Sequence, residues 1–115
     1  SLVFAFNYGS RREIVEATRS LAAKAAAGEI SPEEIDENAL AGSLYVPDMP
    51  DADLIIRSSG EHRLSNFLLW QAAYAEFHFP GILWPDFDRQ ALLDAVLDYQ
   101  SRDRRFGGAE DRVPD

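Results

Sequence analysis

Residues 53 to 70, "DLIIRSSGEHRLSNFLLW", decide the fold, because two apolar runs enclose a short segment crowded with charged and hydroxyl side chains. "DLIIR" has the unbroken apolar pattern of a strand buried in a parallel sheet. "NFLLWQAAY" is consistent with a short helix that Ser65 or Asn66 caps. The segment between them, residues 58 to 64, is therefore predicted to be a loop at the carboxyl end of a strand.

On either side of this centre, strand and helix patterns alternate along the chain. "LVFAFN" at 2 to 7 and "AEFHF" at 75 to 79 predict two more strands. Ser10 and Glu13 form a capping-box pattern that predicts a helix, and Gly28 predicts its end. The alternation favours an α/β fold with an open, mainly parallel sheet of at least three strands flanked by helices.

Two further helices are predicted from their caps. "SPEE" at 31 to 34 repeats the capping box and predicts a short helix that reaches about Ala41. Asp88 is a candidate cap for the last helix. Four residues of that helix are predicted to face inward: Leu92, Leu93, Val96 and Leu97.

Composition limits the classes of function. The net charge of −9 argues against a nucleic acid or an anionic membrane as the main partner, because such binding needs a broad positive surface. The chain has no cysteine, which excludes a thiol nucleophile and fits a reducing compartment, so the cytoplasm is expected. No apolar run has the length of a membrane span.

The polar segment contains the groups that a phosphate site needs. Arg57 leaves a strand, Arg63 follows six residues later, and Ser65 stands near a predicted helix N-terminus. Guanidinium groups match phosphate oxygens in bidentate fashion, so a phosphate or diphosphate cradle is one interpretation, with Glu61 orienting the arginines. The alternative is that Arg57 and Arg63 merely pair with Glu61 or nearby aspartates on a solvated loop.

Two further residues are candidates for metal chemistry. Glu76 in the "AEFHF" strand is a possible ligand of Mg²⁺, which proteins usually hold through one or two carboxylates and substrate phosphates. A glutamate in a strand more commonly lies on a solvated face. His62 is a candidate ligand, acid or ordinary loop residue.

The block "DADLIIRSSGEHRLSNFLLWQAAYAEFHFPGILWPDFD" resembles the signature of the cis-prenyltransferases, the family of undecaprenyl diphosphate synthase. "NYGSRREI" upstream and "RRFGG" downstream occupy the places expected in that family, so the likeness extends from about residue 3 to Gly108. The family usually has glycine where this chain has Ser10, so the turn there is expected to differ slightly.

The resemblance implies roles for individual residues. The isopentenyl diphosphate site would contain Arg57, Glu61, Arg63, Leu64 and Ser65. Glu76 would help to bind Mg²⁺, and His62 occupies a position that is also associated with the metal. The downstream "RRFGG" segment resembles one that reaches the active site across a dimer interface, which makes Arg104, Arg105 and Gly107 candidate phosphate partners.

The resemblance also implies the activity. Such enzymes are transferases that condense isopentenyl diphosphate with an allylic prenyl diphosphate to form a cis-polyprenyl diphosphate, a precursor of a cell-wall lipid carrier. A cytoplasmic homodimer with transient membrane contact at product release is expected. Two alternatives stay open: a non-catalytic partner subunit of a heteromeric prenyltransferase, and an unrelated phosphate-binding α/β module.

The upstream Asp-Gly-Asn-Arg block of the family is not found in this sequence. We therefore expect residues 1 to 108 to be the C-terminal half of a single, larger domain. The catalytic aspartate is expected in the other half, so no catalytic residue is assigned here and this portion alone is expected to be inactive. Residues 109 to 115 are expected to form a mobile tail.

Overall fold

A computed structural model describes residues 1 to 107, and the predicted tail at 109 to 115 lies outside them. Its regular elements, in chain order, are α1 (Ser10–Ala26), a 3-10 turn (Pro32–Glu34), α2 (Glu37–Ala41), β1 (Leu54–Ile56), β2 (Glu76–His78), a second 3-10 turn (Trp84–Asp86) and α3 (Arg89–Gln100). Residues 1 to 107 contain no helix with the length and apolar character that a membrane crossing requires.

The chain divides into two compact units. The first holds Ser1–Pro50 and Leu64–Trp70, and the second holds Asp51–Arg63 and the chain from Gln71 onward. The first unit contains α1 and α2, and the second contains β1, β2 and α3.

The first unit is built on α1. Ala17 and Leu21 lie one turn apart on its buried face, with 1% and 5% of their surfaces exposed. The helix ends at Ala26, and Gly28 follows with a positive φ of 75°, as predicted. The predicted capping box is wrong, because Gly9 is the N-cap and Ser10 is the first helical residue.

Residues 31 to 41 form a broken helix rather than the continuous one predicted. The Glu34 carboxylate accepts a hydrogen bond from the Ser31 N–H at 2.6 Å, which closes the 3-10 turn. Ile35 then takes an extended conformation. Asp36 starts α2, because its carboxylate accepts from the Ala39 N–H at 2.8 Å.

The predicted strand at residues 2 to 7 is wrong. The segment has no regular structure, and Leu2 and Phe6 are 80% and 83% exposed. An apolar run with no polar face is stable as a strand only between neighbours that cover it on both sides. In residues 1 to 107 the sheet has two strands, not the three or more predicted.

The second unit is a small parallel α/β layer, which confirms the predicted fold class. β1 and β2 pair in parallel, with Leu54 opposite Glu76 and Ile56 opposite His78. Because side chains alternate along a strand, Glu76 and His78 share one face of β2. The rings of Phe77 and Phe79 stack at 5.7 Å on the other face.

Helix α3 begins where predicted, but a different face is buried. The Asp88 carboxylate accepts from the Ala91 N–H at 2.9 Å, as an N-cap does. Ala91 and Ala95, one turn apart, are the buried residues. The four larger residues predicted to face inward are 37% to 61% exposed: Leu92, Leu93, Val96 and Leu97.

The predicted helix over "NFLLWQAAY" is wrong. Ser65, Asn66 and Leu68 have φ values of 50°, 63° and 50°, in the left-handed region. A right-handed helix requires negative φ, so residues 65 to 68 cannot start one. The segment forms turns instead.

Candidate functional site

The two predicted arginines converge in the second unit, on what we call the arginine loop, residues 57 to 63. Arg57 directly follows the carboxyl end of β1, where loops of parallel sheets carry ligand-binding side chains. Its Nη2 donates to Glu61 Oε2 at 3.1 Å. Arg63 Nη1 donates to the same oxygen at 3.1 Å. One carboxylate therefore brings the two guanidinium groups together.

The backbone of the arginine loop is bound to the last residue of β2 and to the segment that follows it. The Arg57 N–H donates to the His78 carbonyl at 3.0 Å, and the Ser59 N–H donates to the Ile82 carbonyl at 2.7 Å. Ser59 and Gly60 have positive φ, which turns the chain back on itself. Arg57 also donates through Nη1 to the Arg63 carbonyl. The loop is thus closed by both backbone and side-chain bonds.

The cluster is open to solvent to different degrees along the loop. The Arg57 side chain is 30% exposed, the Glu61 side chain 43% and the Arg63 side chain 69%. Ion pairs at such exposure contribute about 0.2–1 kcal/mol each. An anion with more than one charge can therefore displace Glu61 from either guanidinium at small cost.

Arg57 also borders a mainly apolar cavity of about 670 Å³. Trp84 and Phe87 stack in its wall at 5.7 Å. A cation beside apolar walls is suited to a ligand with an anionic head and a hydrocarbon part.

Glu76 lies at the other end of the strand ladder from Arg57. It pairs with Leu54, the first residue of β1, whereas Arg57 follows the last. Glu76 Oε2 accepts from Arg102 Nη1 at 3.2 Å, and Arg102 Nη2 donates to Asp98 Oδ2 at 2.7 Å. The Glu76 hydrogen bond raises the pKa of Arg102 above its ordinary value. Because Arg102 lies two residues after the end of α3, its ion pair with Glu76 connects β2 to the segment that follows α3.

Asp98 has a second partner on β2. His78 Nδ1 lies 3.0 Å from Asp98 Oδ2. This contact, followed by that of Arg102, lowers the pKa of the Asp98 carboxyl below its ordinary value. Neither Arg102 nor Asp98 was singled out from the sequence, because their partners on β2 lie 26 and 20 residues away.

The downstream residues divide between two environments. Arg105 and Gly107 line a cavity of about 320 Å³ together with Glu76. Arg104 is held elsewhere, by Asp53 Oδ1 and the Tyr74 carbonyl, and the Asp53 bond raises its pKa. Its guanidinium also lies over the Phe106 ring at 4.4 Å. The structure brings Arg105, not Arg104, to the cavity of Glu76.

His62 and Glu76, the two candidate metal ligands, have different neighbours in the described chain. The His62 ring packs on Phe79 with centroids 4.8 Å apart, and Phe79 lies on the face of the strand opposite Glu76. Residues 1 to 107 contain no group of three or more His, Cys, Asp or Glu side chains arranged for a metal ion. Of the two, Glu76 has the donor chemistry that Mg²⁺ prefers, with room beside it for substrate oxygens.

Leu64 and Ser65 belong to the first unit, directly after the arginine loop in the chain. Ser65 is exposed and has a φ of 50°. The Leu64 carbonyl accepts from the Phe67 N–H at 3.2 Å. The same turn bonds to α1 through Asn66 and Ser10, contacts that sequence reasoning missed. The sequence contained one signal for this turn: Asn66 directly follows the candidate residue Ser65, and asparagine favours left-handed turns.

Comparison with known proteins places these residues in context. A family model described as undecaprenyl diphosphate synthase matches residues 1–107. Isoprenyl transferase 1 of Streptomyces coelicolor is 56% identical over 109 residues, which cover 95% of this chain and 39% of the relative. A trans,polycis-polyprenyl diphosphate synthase specific for (2Z,6E)-farnesyl diphosphate, from Thermobifida fusca, is 58% identical over 110 residues. These residues cover 96% of this chain and 39% of that relative.

A solved structure shows the same likeness in three dimensions. Lavandulyl diphosphate synthase from Lavandula x intermedia, in complex with dimethylallyl diphosphate, has a TM-score of 0.84 and 46% identity. The match covers 88% of this chain and 44% of that one. The chain thus spans about 39% to 44% of the length of these three relatives.

Proposed function

Because this chain belongs to the undecaprenyl diphosphate synthase family, we propose that the protein containing it is a cis-prenyltransferase. It would condense isopentenyl diphosphate with an allylic prenyl diphosphate and release a cis-polyprenyl diphosphate. The observation that carries this proposal is the family match over residues 1–107, and the convergence of Arg57 and Arg63 on Glu61 at the carboxyl end of β1 supports it. An alternative role as a non-catalytic partner subunit predicts the same family likeness but no turnover.

The arginine loop would hold the diphosphate of isopentenyl diphosphate. Arg57 and Arg63 would leave Glu61 for the diphosphate oxygens, where bidentate, charge-assisted hydrogen bonds are stronger than an exposed ion pair. Leu64 and Ser65, next in the chain, would supply the backbone and the hydroxyl of the same site. Glu61 would hold the two guanidinium groups in place until substrate arrives.

The proposed reaction is an electrophilic chain extension. The allylic C–O bond breaks and pyrophosphate leaves, the double bond of isopentenyl diphosphate forms the new C–C bond, and a proton is lost to give the cis double bond. Residues of this chain would orient the nucleophilic double bond and balance the charge of its diphosphate. No catalytic group is assigned to this chain, and the proposal leaves that role to an aspartate elsewhere in the protein.

We propose Mg²⁺ as the cofactor, with Glu76 as the carboxylate of this chain that would hold it. Mg²⁺ would neutralise diphosphate charge when bound. Arg105 and Gly107 line the cavity of Glu76, which supports a role for them in phosphate binding on that side. His62 lies away from that cavity, against Phe79, so its assignment to the metal has no geometric support.

The biological setting follows from the same proposal. The protein would act in the cytoplasm as a homodimer on the route to a polyprenyl carrier lipid, and would contact the membrane transiently when its long product leaves.

Condensation by the full-length gene product tests the proposal. Radiolabelled isopentenyl diphosphate, an allylic diphosphate and Mg²⁺ are expected to give an extractable linear cis product, and EDTA is expected to abolish it. Chromatography separates that product from lavandulyl diphosphate, the product named for the structural relative from Lavandula x intermedia. Full-length protein that binds isopentenyl diphosphate without turnover would support the partner-subunit alternative, and binding of ATP in its place would support an unrelated phosphate module.

A further inference from the structure

The turn that carries Ser65 has an unusual backbone. Three of its residues, Ser65, Asn66 and Leu68, have positive φ within four positions. Asparagine tolerates this region, but for a bulky side chain such as leucine it is strained. Strain of this kind persists only where surrounding contacts hold it, and it is concentrated at functional sites.

Contacts with the first turn of α1 hold this backbone. The Ser10 N–H donates to the Asn66 carbonyl at 2.8 Å, and the Arg11 N–H donates to Asn66 Oδ1 at 2.8 Å. In the opposite direction, the Leu69 N–H donates to Ser10 Oγ at 2.9 Å. These three bonds, which we call the Ser10–Asn66 clasp, satisfy two N–H groups at the helix N-terminus that lack helical partners.

The clasp has little freedom to adjust. Ser10 is fully buried, so its hydroxyl has a fixed position. A Cβ added at Gly9 would lie 2.9 Å from Asn66 Nδ2, closer than a Cβ atom approaches a neighbouring atom in proteins. The side chain of Asn66 is therefore held on one side by the Arg11 N–H and limited on the other by Gly9.

We infer that Ser10 and Asn66 are positioning residues for the isopentenyl diphosphate site, and that they act through Ser65. The inference rests on the function proposed above. Asn66 is the next residue after Ser65, so the bonds that fix its backbone also fix the position of the Ser65 backbone from which the hydroxyl projects. Loss of the clasp leaves Ser65 in the chain but lets the strained turn relax toward ordinary φ values.

Steady-state kinetics of the full-length enzyme test this inference. Asn66→Ala and Ser10→Ala are expected to raise KM for isopentenyl diphosphate by roughly 5- to 10-fold, as loss of one or two net hydrogen bonds predicts, with kcat within about twofold. KM for the allylic substrate is expected to stay unchanged.

Two conservative changes at position 66 separate positioning from mere stability. Asn66→Asp keeps an acceptor for the Arg11 N–H and tolerates positive φ, so KM is expected to return close to the wild-type value. Asn66→Gly keeps the backbone freedom but loses the acceptor, and KM is expected to stay raised. Thr18→Ala is the matched control for Ser10→Ala, because it removes another hydroxyl hydrogen bond from α1, at the Ile14 carbonyl.

The outcomes are distinguishable. An active wild-type enzyme whose Asn66→Ala and Ser10→Ala variants keep the wild-type KM would overturn the inference and leave the proposed function intact, even if their melting temperatures fall. A wild-type protein that neither turns over nor binds isopentenyl diphosphate would overturn both. If Asn66→Ala fails to fold, Asn66→Gly and Ser10→Ala decide the matter.

Discussion

Replacing Arg63 by alanine tests the arginine loop with little disturbance of the fold. The Arg63 side chain is 69% exposed, and its ion pair with Glu61 at 3.1 Å contributes less than about 1 kcal/mol to the free energy of unfolding. Hydrogen bonds from its guanidinium to a diphosphate contribute roughly 1.5–3 kcal/mol. Since 1.36 kcal/mol corresponds to a tenfold change in a binding constant, KM for isopentenyl diphosphate should rise roughly 10- to 150-fold.

The assay compares initial rates of the full-length enzyme at varied isopentenyl diphosphate and saturating allylic substrate. Arg63→Lys keeps the charge but loses the bidentate fork, so an intermediate KM is expected. Arg12→Ala is the control, because Arg12 is 83% exposed and pairs with Glu16 at 3.1 Å on α1. An Arg63→Ala enzyme with KM within twofold of wild type would refute the assignment of Arg63 to the diphosphate.

Three further predictions concern the supports of the site. Glu61→Gln weakens the bonds from both arginines and should speed amide hydrogen exchange in the loop roughly 2- to 30-fold, so unchanged exchange would refute its orienting role. The folded-state pKa of Asp98 is lowered by His78, so its stabilising effect is full above about pH 4 and is lost as pH falls through the folded value. Melting temperatures of wild type and Asp98→Asn should therefore converge at acid pH, and a constant difference between them would contradict this. Asp88→Ala removes the acceptor of the Ala91 N–H and should cost about 0.5–2 kcal/mol in urea unfolding, whereas Asp88→Asn should cost little, and equal losses would argue against the cap.

Local patterns in the sequence predicted several elements correctly. Asp88 caps α3 because a side chain three residues from its partner needs no tertiary help. The "DLII" run gave β1 and the alternation of "AEFHF" gave β2, since each depends on the burial of its own residues. The position of Arg57 at the end of β1 followed directly from that assignment.

Elements that depend on distant partners could not be predicted in the same way. Ser10 looked like a helix cap, but its hydroxyl accepts from Leu69, 59 residues away. "NFLLW" has a helical composition, yet contacts of Asn66 with α1 hold left-handed turns there. The apolar run at 2 to 7 needs strand neighbours, which its own residues cannot supply.

The candidate site shows the same division. Glu61 was expected to orient the two arginines, and the structure places it between them. That contact alone fits an ordinary solvated ion-pair loop equally well, so the family likeness carries the choice between the two interpretations. The pairing of Glu76 with Arg102 depends on where α3 returns to β2, which no local pattern predicts.

A crystal structure of the full-length protein with isopentenyl diphosphate would show directly whether the arginine loop binds the diphosphate. We expect diphosphate oxygens within about 3 Å of the guanidinium groups of Arg57 and Arg63 and of the Ser65 hydroxyl. We also expect at least one arginine to have left Glu61. A diphosphate bound elsewhere, with both arginines still on Glu61, would contradict it.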